Sequence, residues 1–327
     1  MACFDAVIHH GCNKNGSQPP FNRGTVSDVL TVIVTFNGDR TIKDTLARCH
    51  SAVRHRGPIV VFDNASIDTT ANTIEEMGLS GVHLIPLPEN IGVAAAYNLA
   101  LAQARRVRAR WLFILDQDSL CGNDCLDILL EAAEPNSSGI GALCPTVVNS
   151  RFPWMIHYPL RWDGKQYCPF APDFTREYTA AFEVDSTVTS GTLYSVAALT
   201  AVNGFRENYF IDFVDHECHM RLRIKGFHIL WIPMARIRHQ LGIRQEMTSK
   251  GLWIEHPPYR YYYMVRNMFD GYRRLAGLRA LGGFGAEILR HYLLICRQGR
   301  APVITLGYIL KGLYHAVRGK FGAIDGH

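Results

Sequence analysis

Trp111-Leu112-Phe113-Ile114-Leu115-Asp116-Gln117-Asp118 decides how the rest of this chain is read. A short apolar run closed abruptly by polar residues reads as a strand buried on both faces of a parallel sheet. Two carboxylates at the C-terminal end of such a strand sit where open α/β sheets place their ligand crevices. Aspartates so spaced can hold a hard divalent cation, which in turn binds a diphosphate. The triplet alone is also the pattern of an ordinary solvated turn, so its meaning depends on what surrounds it.

Working outward, the same rhythm recurs three times upstream. Residues 30–35, 58–62 and 82–85 read as strands, and 41–53, 68–77 and 92–106 as the helices between them. Strand–helix alternation with short connections predicts an α/β fold around a mostly parallel, doubly wound sheet. Downstream, 149–182 loses the rhythm and gathers Phe152, Trp154, Tyr158, Trp162 and several prolines, as a long loop or small hairpin over the crevice would. Residues 184–196 return to strand composition, 215–225 reads as a helix, 227–233 as a strand, and the chain is helical from Tyr259. The expected organisation is a flexible arm (1–27), a catalytic domain (28–245, split into 28–120 and 121–245) and a helical, basic extension (246–327).

Composition narrows the class. The 327 residues are 48% hydrophobic and 19% charged, enough for one large α/β domain with an appendage. The net charge of +5 is concentrated late: Arg273, Arg274, Arg279, Arg290, Arg297, Arg300, Lys311, Arg318 and Lys320 face only Glu287 and Asp325. Such an end suits an anionic membrane surface. It lacks the interleaved aromatic and basic residues of a nucleic-acid module, so no nucleic-acid partner is expected. The nine cysteines are scattered without a Cys-x-x-Cys pair, which fits reduced thiols and a cytoplasmic setting. No spanning run or secretory leader is read, so a peripheral position on the inner face of the cell membrane is expected. Leu289, Leu293, Leu294, Ile304, Leu306, Ile309, Leu310 and Leu313 are the side chains expected in that interface. His9, His10 and Cys12 in the arm are not read as a metal site.

The chemistry-bearing groups collect at strand ends. Thr35-Phe36-Asn37-Gly38, Asp63-Asn64-Ala65-Ser66, Glu89-Asn90-Ile91-Gly92 and Asp116-Gln117-Asp118 would all lie along one edge of a parallel sheet. A carboxylate and an amide there can hydrogen-bond a pyrimidine, and Gly92 at a helix start lets backbone approach a ligand. Singly, Asn37, Asn64 and Ser66 are ordinary capping residues; four successive ends together read as a site. No phosphate-cradling glycine motif follows the first strand, which argues against a P-loop kinase or a dinucleotide dehydrogenase. Farther on, Asp212, Asp215 and Glu217 open a helix and are candidates for a general base, although acids there also complement the helix dipole. His239 could add an imidazole to a cation site.

In this order the motifs resemble the inverting glycosyltransferases of family 2, which have a GT-A fold. Ser190-Gly191-Thr192, Gly204-Phe205, Asp215-x-Glu217 with Arg221, His239-x-x-Gly242 and the stretch from Tyr262 to Asn267 are similar to its bacterial rhamnosyltransferase branch. The resemblance implies a donor pocket of Thr35, Phe36, Asn37, Asp63, Asn64, Ser66, Asn90, Gly92, Asn98, Asp116 and Gln117. It implies Asp118 and His239 at a Mg2+ or Mn2+ ion, Asp215 as the catalytic base, and Gly191, Thr192, Glu217 and Arg221 on the acceptor side. The implied donor is a nucleotide sugar, dTDP-rhamnose first, and the implied acceptor a glycan or lipid-linked glycan of a bacterial surface polysaccharide such as O-antigen. UDP-galactose or its furanose form as donor, or a non-enzymatic basic adaptor, are the alternatives. The chain departs from the family pattern in two ways: Val214 stands where an acidic residue often precedes the base, and His216 and Cys218 replace aliphatic residues.

Overall fold

The computed structural model describes residues 28–172, 180–240, 242–248 and 251–324. The arm expected at 1–27, with His9, His10 and Cys12, lies outside them. The strands are β1 (Val29–Thr35), β2 (Ile59–Asp63), β3 (Val82–Pro86), β4 (Trp111–Asp116), β5 (Ser119–Cys121), β6 (Ile140–Asn149), β7 (Ile156–His157), β8 (Leu160–Trp162), β9 (Tyr167–Pro169), β10 (Phe182–Val184), β11 (Thr192–Ser195), β12 (His228–His239), β13 (Arg244–Thr248) and β14 (Gly251–Glu255). The α-helices are α1 (Ile42–Val53), α2 (Thr70–Glu76), α3 (Val93–Arg106), α4 (Cys125–Ala133), α5 (Val196–Ala201), α6 (Val214–Ile224), α7 (Pro258–Ala276), α8 (Leu281–Gln298) and α9 (Pro302–Arg318).

Eight strands of a ten-stranded sheet run in the order β10-β12-β6-β11-β4-β1-β2-β3, with β5 paired to β12 and β7 to β6 off that path. β3, β2, β1 and β4 are parallel, as the sequence rhythm predicts, and their registers bring Thr35 opposite Asp63 and Val34 opposite Asp116. The edge expected to carry the site is therefore level across the strands. Beyond β4 the parallel pattern breaks, because β11 runs antiparallel to both β4 and β6.

Side-chain alternation along β1 explains the layers. Val29 and Ile33 pack with α1, α2 and α4 on one face, while Leu30, Val32 and Val34 pack with α3, α5 and α6 on the other. A strand buried on both faces has no polar side, so its apolar run is continuous. Fully burying each such side chain contributes about 1.5–3 kcal/mol.

Several elements differ from the sequence expectation. The strand read at 227–233 continues as β12 to His239, across an irregularity between Ile232 and Arg236. Pro233 has no N–H for the ladder, so the strand bulges there rather than ending. The expected 245/246 boundary falls inside β13, which forms a hairpin with β14. α7 is then no peripheral appendage: Tyr262, Tyr263, Arg266, Asn267 and Tyr272 on it are buried. Of the leucines and isoleucines expected in a membrane interface, Leu289, Leu293, Ile304 and Leu310 are exposed, but Ile309 is buried in the main core. The seven cysteines among the described residues are all free.

Candidate active site

The centre of the site is a convergence that the sequence separates by more than a hundred residues. After Asp116 the chain turns at once into β5, whose Ser119 pairs with His239 at the end of β12. That pairing carries the imidazole onto the two aspartates. His239 Nδ1 lies 3.2 Å from Asp118 Oδ1 and Nε2 lies 3.9 Å from Asp116 Oδ2. One ligand atom from each of the three lies within 4.8 Å of the others.

The frame around these groups is built from hydroxyls. Ser190 Oγ accepts from the Asp116 backbone N–H (3.0 Å) and meets Ser119 Oγ (2.7 Å), which in turn lies 2.8 Å from His239 Nδ1. Tyr97 on α3 donates to Asp116 Oδ1 at 3.1 Å. Burial raises the Asp116 carboxyl above its ordinary range; His239 pulls it back, and Asp118 pushes it up again. Burial alone would lower His239, but the hydrogen bond and charge of Asp118, with Asp116 behind it, lift it above its usual value. Two carboxylates and one imidazole pressed together with that mutual strain form a donor set suited to Mg2+ or Mn2+.

Along the sheet edge the expected donor residues are held by one another. Thr35 Oγ1 (2.8 Å) and the Phe36 N–H (2.7 Å) both donate to Gln117 Oε1. Asp63 is buried and accepts from the Ser66 N–H (3.1 Å) and hydroxyl, while Ser66 Oγ accepts from the Asn37 N–H (2.8 Å). Asn64 Oδ1 accepts from the Ile91 N–H and Asn90 Oδ1 from the Gly92 N–H. These contacts fix the floor of a crevice in which Phe36, 42% exposed, presents its ring.

Other expected site residues are placed differently. At Gly92 (φ 80°) the backbone approach is to Phe210, whose carbonyl accepts from the Val93 N–H; an added Cβ would meet it at 2.6 Å. Asn98 spends its amide on Phe205 and Glu207. Gly191 (φ 77°) packs against Ile237 and Pro145, and Thr192 is fully buried. Glu217 is buried and bound by Arg206 (3.0 Å) and Arg221 (2.7 Å), while Arg221 also donates to the Val202 carbonyl. Glu217 and Arg221, expected on the acceptor side, are thus paired with each other, and Glu217 with Arg206 as well.

This sorts the three acids read as candidate bases. Asp212 is gripped by both arms of Arg260, at 2.6 and 2.7 Å, and Glu217 by Arg206 and Arg221. Asp215 has no arginine partner among the described residues. Its Oδ1 accepts from the His216 N–H (2.8 Å), its side chain keeps 19% exposure, and its charge reaches Asp116 and Tyr97.

Asp215 follows a turn in which Phe210, Asp212 and Phe213 all have left-handed backbone, with φ of 68°, 66° and 62°. Bulky residues adopt that conformation only under constraint. The constraint comes from α7, where buried Asn267 donates through Nδ2 to the carbonyls of Tyr209, Ile211 and Asp212, and Arg266 donates to that of Tyr209. Asn267 was within a quoted motif, but nothing in the sequence gave it this task.

Comparison with known proteins bears directly on this arrangement. The family model described as "Glycosyl transferase family 2" matches residues 31–199, just over half of the chain. The dTDP-rhamnosyl transferase RfbF of Shigella flexneri is 28% identical over 244 residues, spanning 74% of this chain and 79% of that protein. The N-acetylglucosaminyl-diphospho-decaprenol L-rhamnosyltransferase of Mycobacterium tuberculosis is 25% identical over 236 residues, spanning 65% and 76%. Among solved structures, S. aureus TarS 1–349 in complex with UDP-GlcNAc superposes with TM-score 0.56 at 16% identity, over 89% of this chain and 81% of that one. GalNAc-T7 with UDP, GalNAc and Mn2+ gives 0.57 at 14%, over 76% of this chain and 48% of that longer one. On this fold and with the family model across the whole strand-edge region, the chain belongs to glycosyl transferase family 2 and is a glycosyltransferase with a GT-A fold.

Proposed function

We propose that the protein transfers L-rhamnose from dTDP-rhamnose to a hydroxyl of a glycan or lipid-linked glycan, with inversion, in the synthesis of a bacterial surface polysaccharide. The observation that supports this most is the joining of Asp116, Asp118 and His239 at the level edge of the parallel strands, with Asp215 the one of Asp212, Asp215 and Glu217 that has no arginine partner among the described residues. Both rhamnosyltransferase relatives align over most of their length.

In this reading the crevice floor of Thr35, Asn37 and Asp63 orients the nucleoside. Asp118 and His239 hold the divalent ion, which would supply positive charge for the nucleoside diphosphate leaving group. Asp215 takes the proton of the acceptor hydroxyl, whose oxygen attacks the anomeric carbon from the face opposite the diphosphate. The sugar–phosphate bond breaks with its electron pair staying on the diphosphate, and the anomeric configuration inverts.

The test is a thermal-shift screen of dTDP-rhamnose, UDP-galactose, UDP-galactofuranose and GDP-mannose, each with and without Mn2+. dTDP-rhamnose is expected to give the largest metal-dependent shift, and Asp118→Ala to abolish it. A larger shift with another donor would overturn the sugar assignment. Undiminished metal-dependent binding by the variant would overturn the ion's place.

A further inference from the structure

The residue next to Asp215 departs from the family's aliphatic pattern, and the structure connects it to a chain of groups that the transfer reaction as described does not use. His216 Nε2 lies 3.8 Å from Asp215 Oδ1, and its Nδ1 lies 2.6 Å from Ser186 Oγ. The same Ser186 Oγ lies 3.0 Å from Nδ1 of His219, a fully buried residue one turn along α6. His219 Nε2 meets Tyr194 OH at 3.0 Å, and Tyr194 OH faces Thr189 Oγ1 at 3.4 Å.

The protons in this chain can be placed by elimination. The Thr187 backbone N–H can only donate, and it points at His219 Nδ1 at 3.4 Å, so that nitrogen is an acceptor. Burial, with His216 nearby, pushes His219 down to about 3, so it is neutral and its proton sits on Nε2, donated to Tyr194. Ser186 must then give its hydroxyl proton to His219 Nδ1, since otherwise two lone pairs would face each other at 3.0 Å. With its proton spent, Ser186 Oγ can only accept from His216, which fixes the His216 proton on Nδ1. A neutral His216 therefore turns the lone pair of Nε2 toward Asp215.

We infer that His216 is a positioning and proton-accepting partner of Asp215, set in that role by the Ser186–His219–Tyr194 chain; this rests on Asp215 being the base. The acceptor O–H bond breaks as its proton passes to Asp215 and its oxygen bonds the anomeric carbon. Asp215 then passes the proton to His216 Nε2, giving an imidazolium that loses it to solvent, and the carboxylate is restored for the next turnover. A 3.8 Å separation needs to close by under an ångström for a hydrogen bond, which is usual for catalytic contacts before substrate is present. The ring is held for this by Tyr167 of β9 (5.6 Å) and Phe213 (5.2 Å). The titratable groups facing it are Asp215 and His219 on its own helix and Tyr167 on β9, with Tyr272 of α7 behind Tyr167.

The experiment combines a spectrum with a mutant cycle. A long-range 1H–15N spectrum of the full chain is expected to show His216 protonated at Nδ1, and to lose that preference in Ser186→Ala. An Nε2–H form in the wild type overturns the inference. Nucleoside diphosphate release is then followed for the donor with the largest Mn2+-dependent shift, using water and a synthetic N-acetylglucosaminyl diphospho-lipid as acceptors. His216→Phe keeps the ring stacking and removes both nitrogens. It is expected to lower kcat at least about tenfold with donor KM unchanged, and to have no further effect in an Asp215→Asn background. A structural role would instead lower the rate further in that background, the two losses adding as free energies and so multiplying as rate factors. Full kcat in His216→Phe while Asp215→Asn is slow overturns this inference alone. Full kcat in Asp215→Asn overturns the assignment of the base beneath it. Should His216→Phe lower the melting temperature by more than about 3 °C, Ser186→Ala serves in its place, and an undiminished kcat there counts against the inference.

Discussion

Asp212, Asp215 and Glu217 are the same chemistry within six residues, and only their partners separate them. Arg260 neutralises the first, and Arg206 and Arg221 the last. A carboxylate whose oxygens are held by guanidinium hydrogen bonds is not free to meet an acceptor hydroxyl. Asp215 is met among the described residues by a backbone N–H and the edge of an imidazole, with no arginine on its oxygens. Asp215→Asn preserves shape and the hydrogen bond but cannot take a proton, so kcat is expected to fall by about 10²-fold or more while nucleotide affinity is retained. Steady-state rates beside a nucleotide titration check this, and a near wild-type rate would remove Asp215 from the role. Residue type and position narrowed the base to three acids, and only the family resemblance singled out Asp215, because the groups that distinguish the three lie largely on other elements. Glu217 and Arg221 were read as acceptor groups for the same reason. Their spacing of four on one helix is that of an ordinary ion pair, and only burial beside Arg206 shows that they pair with each other.

At the scale of elements, the strained turn of Phe210, Asp212 and Phe213 governs where α6 begins and hence where Asp215 stands. Left-handed backbone at such residues costs on the order of 1–3 kcal/mol each, and α7 offsets that through Asn267, which satisfies three carbonyls with one amide nitrogen. Asn267→Ala removes that donor from the carbonyls of Ile211 and Asp212, while the Tyr209 carbonyl keeps Arg266. Stability is expected to drop by more than about 2 kcal/mol and kcat to fall more than donor KM rises, since Asp215 follows the turn directly, whereas the donor edge meets it at Gly92 and Val93 through Phe210. Urea unfolding beside kinetics checks both; an unchanged kcat would mean that the turn holds its shape without α7. The alternating strands and helices through β4 were legible because each is a clear apolar run or an amphipathic stretch between turn residues. β12 was legible only as far as Pro233, since a bulge that lets a strand pass a proline depends on its neighbour, β6. The extension was read as separate because its basic composition stands out, whereas its contribution to the site is made by buried, mostly neutral contacts on α7.

On the whole molecule two charge distributions make opposite demands. Inside, burial pushes His157 and His256 down to about 4 and His219 to about 3. The unfolded chain binds protons at these histidines near pH 6.5, so it gains protons first as pH falls. Stability is therefore lost from about pH 6.5 downward, each histidine adding a slope of up to about 1.4 kcal/mol per pH unit until its folded value is reached. Urea midpoints at pH 7.5 and 5.5 check the sign; equal midpoints would refute it. Outside, α8 and α9 expose Leu289, Leu293, Val303, Ile304, Leu310, Tyr314 and Val317, with Arg290, Arg297, Lys311 and Arg318 exposed on the same two helices and Arg300 exposed between them. No helix among the described residues is long and apolar enough to cross a membrane. Apolar side chains flanked by cations are suited to lying in the headgroup region of an anionic bilayer, where each basic residue contributes about 1 kcal/mol and the apolar ones add burial. On the proposal that the acceptor is lipid-linked, this face would bring the crevice to its substrate. Vesicles containing phosphatidylglycerol are then expected to sediment the protein, neutral vesicles to do so much less, and salt to weaken the association. Leu293→Asp with Ile304→Asp changes two exposed side chains without touching the core, so it is expected to abolish sedimentation while nucleotide binding is kept. Equal sedimentation by this variant would show that another surface, or none, meets the membrane.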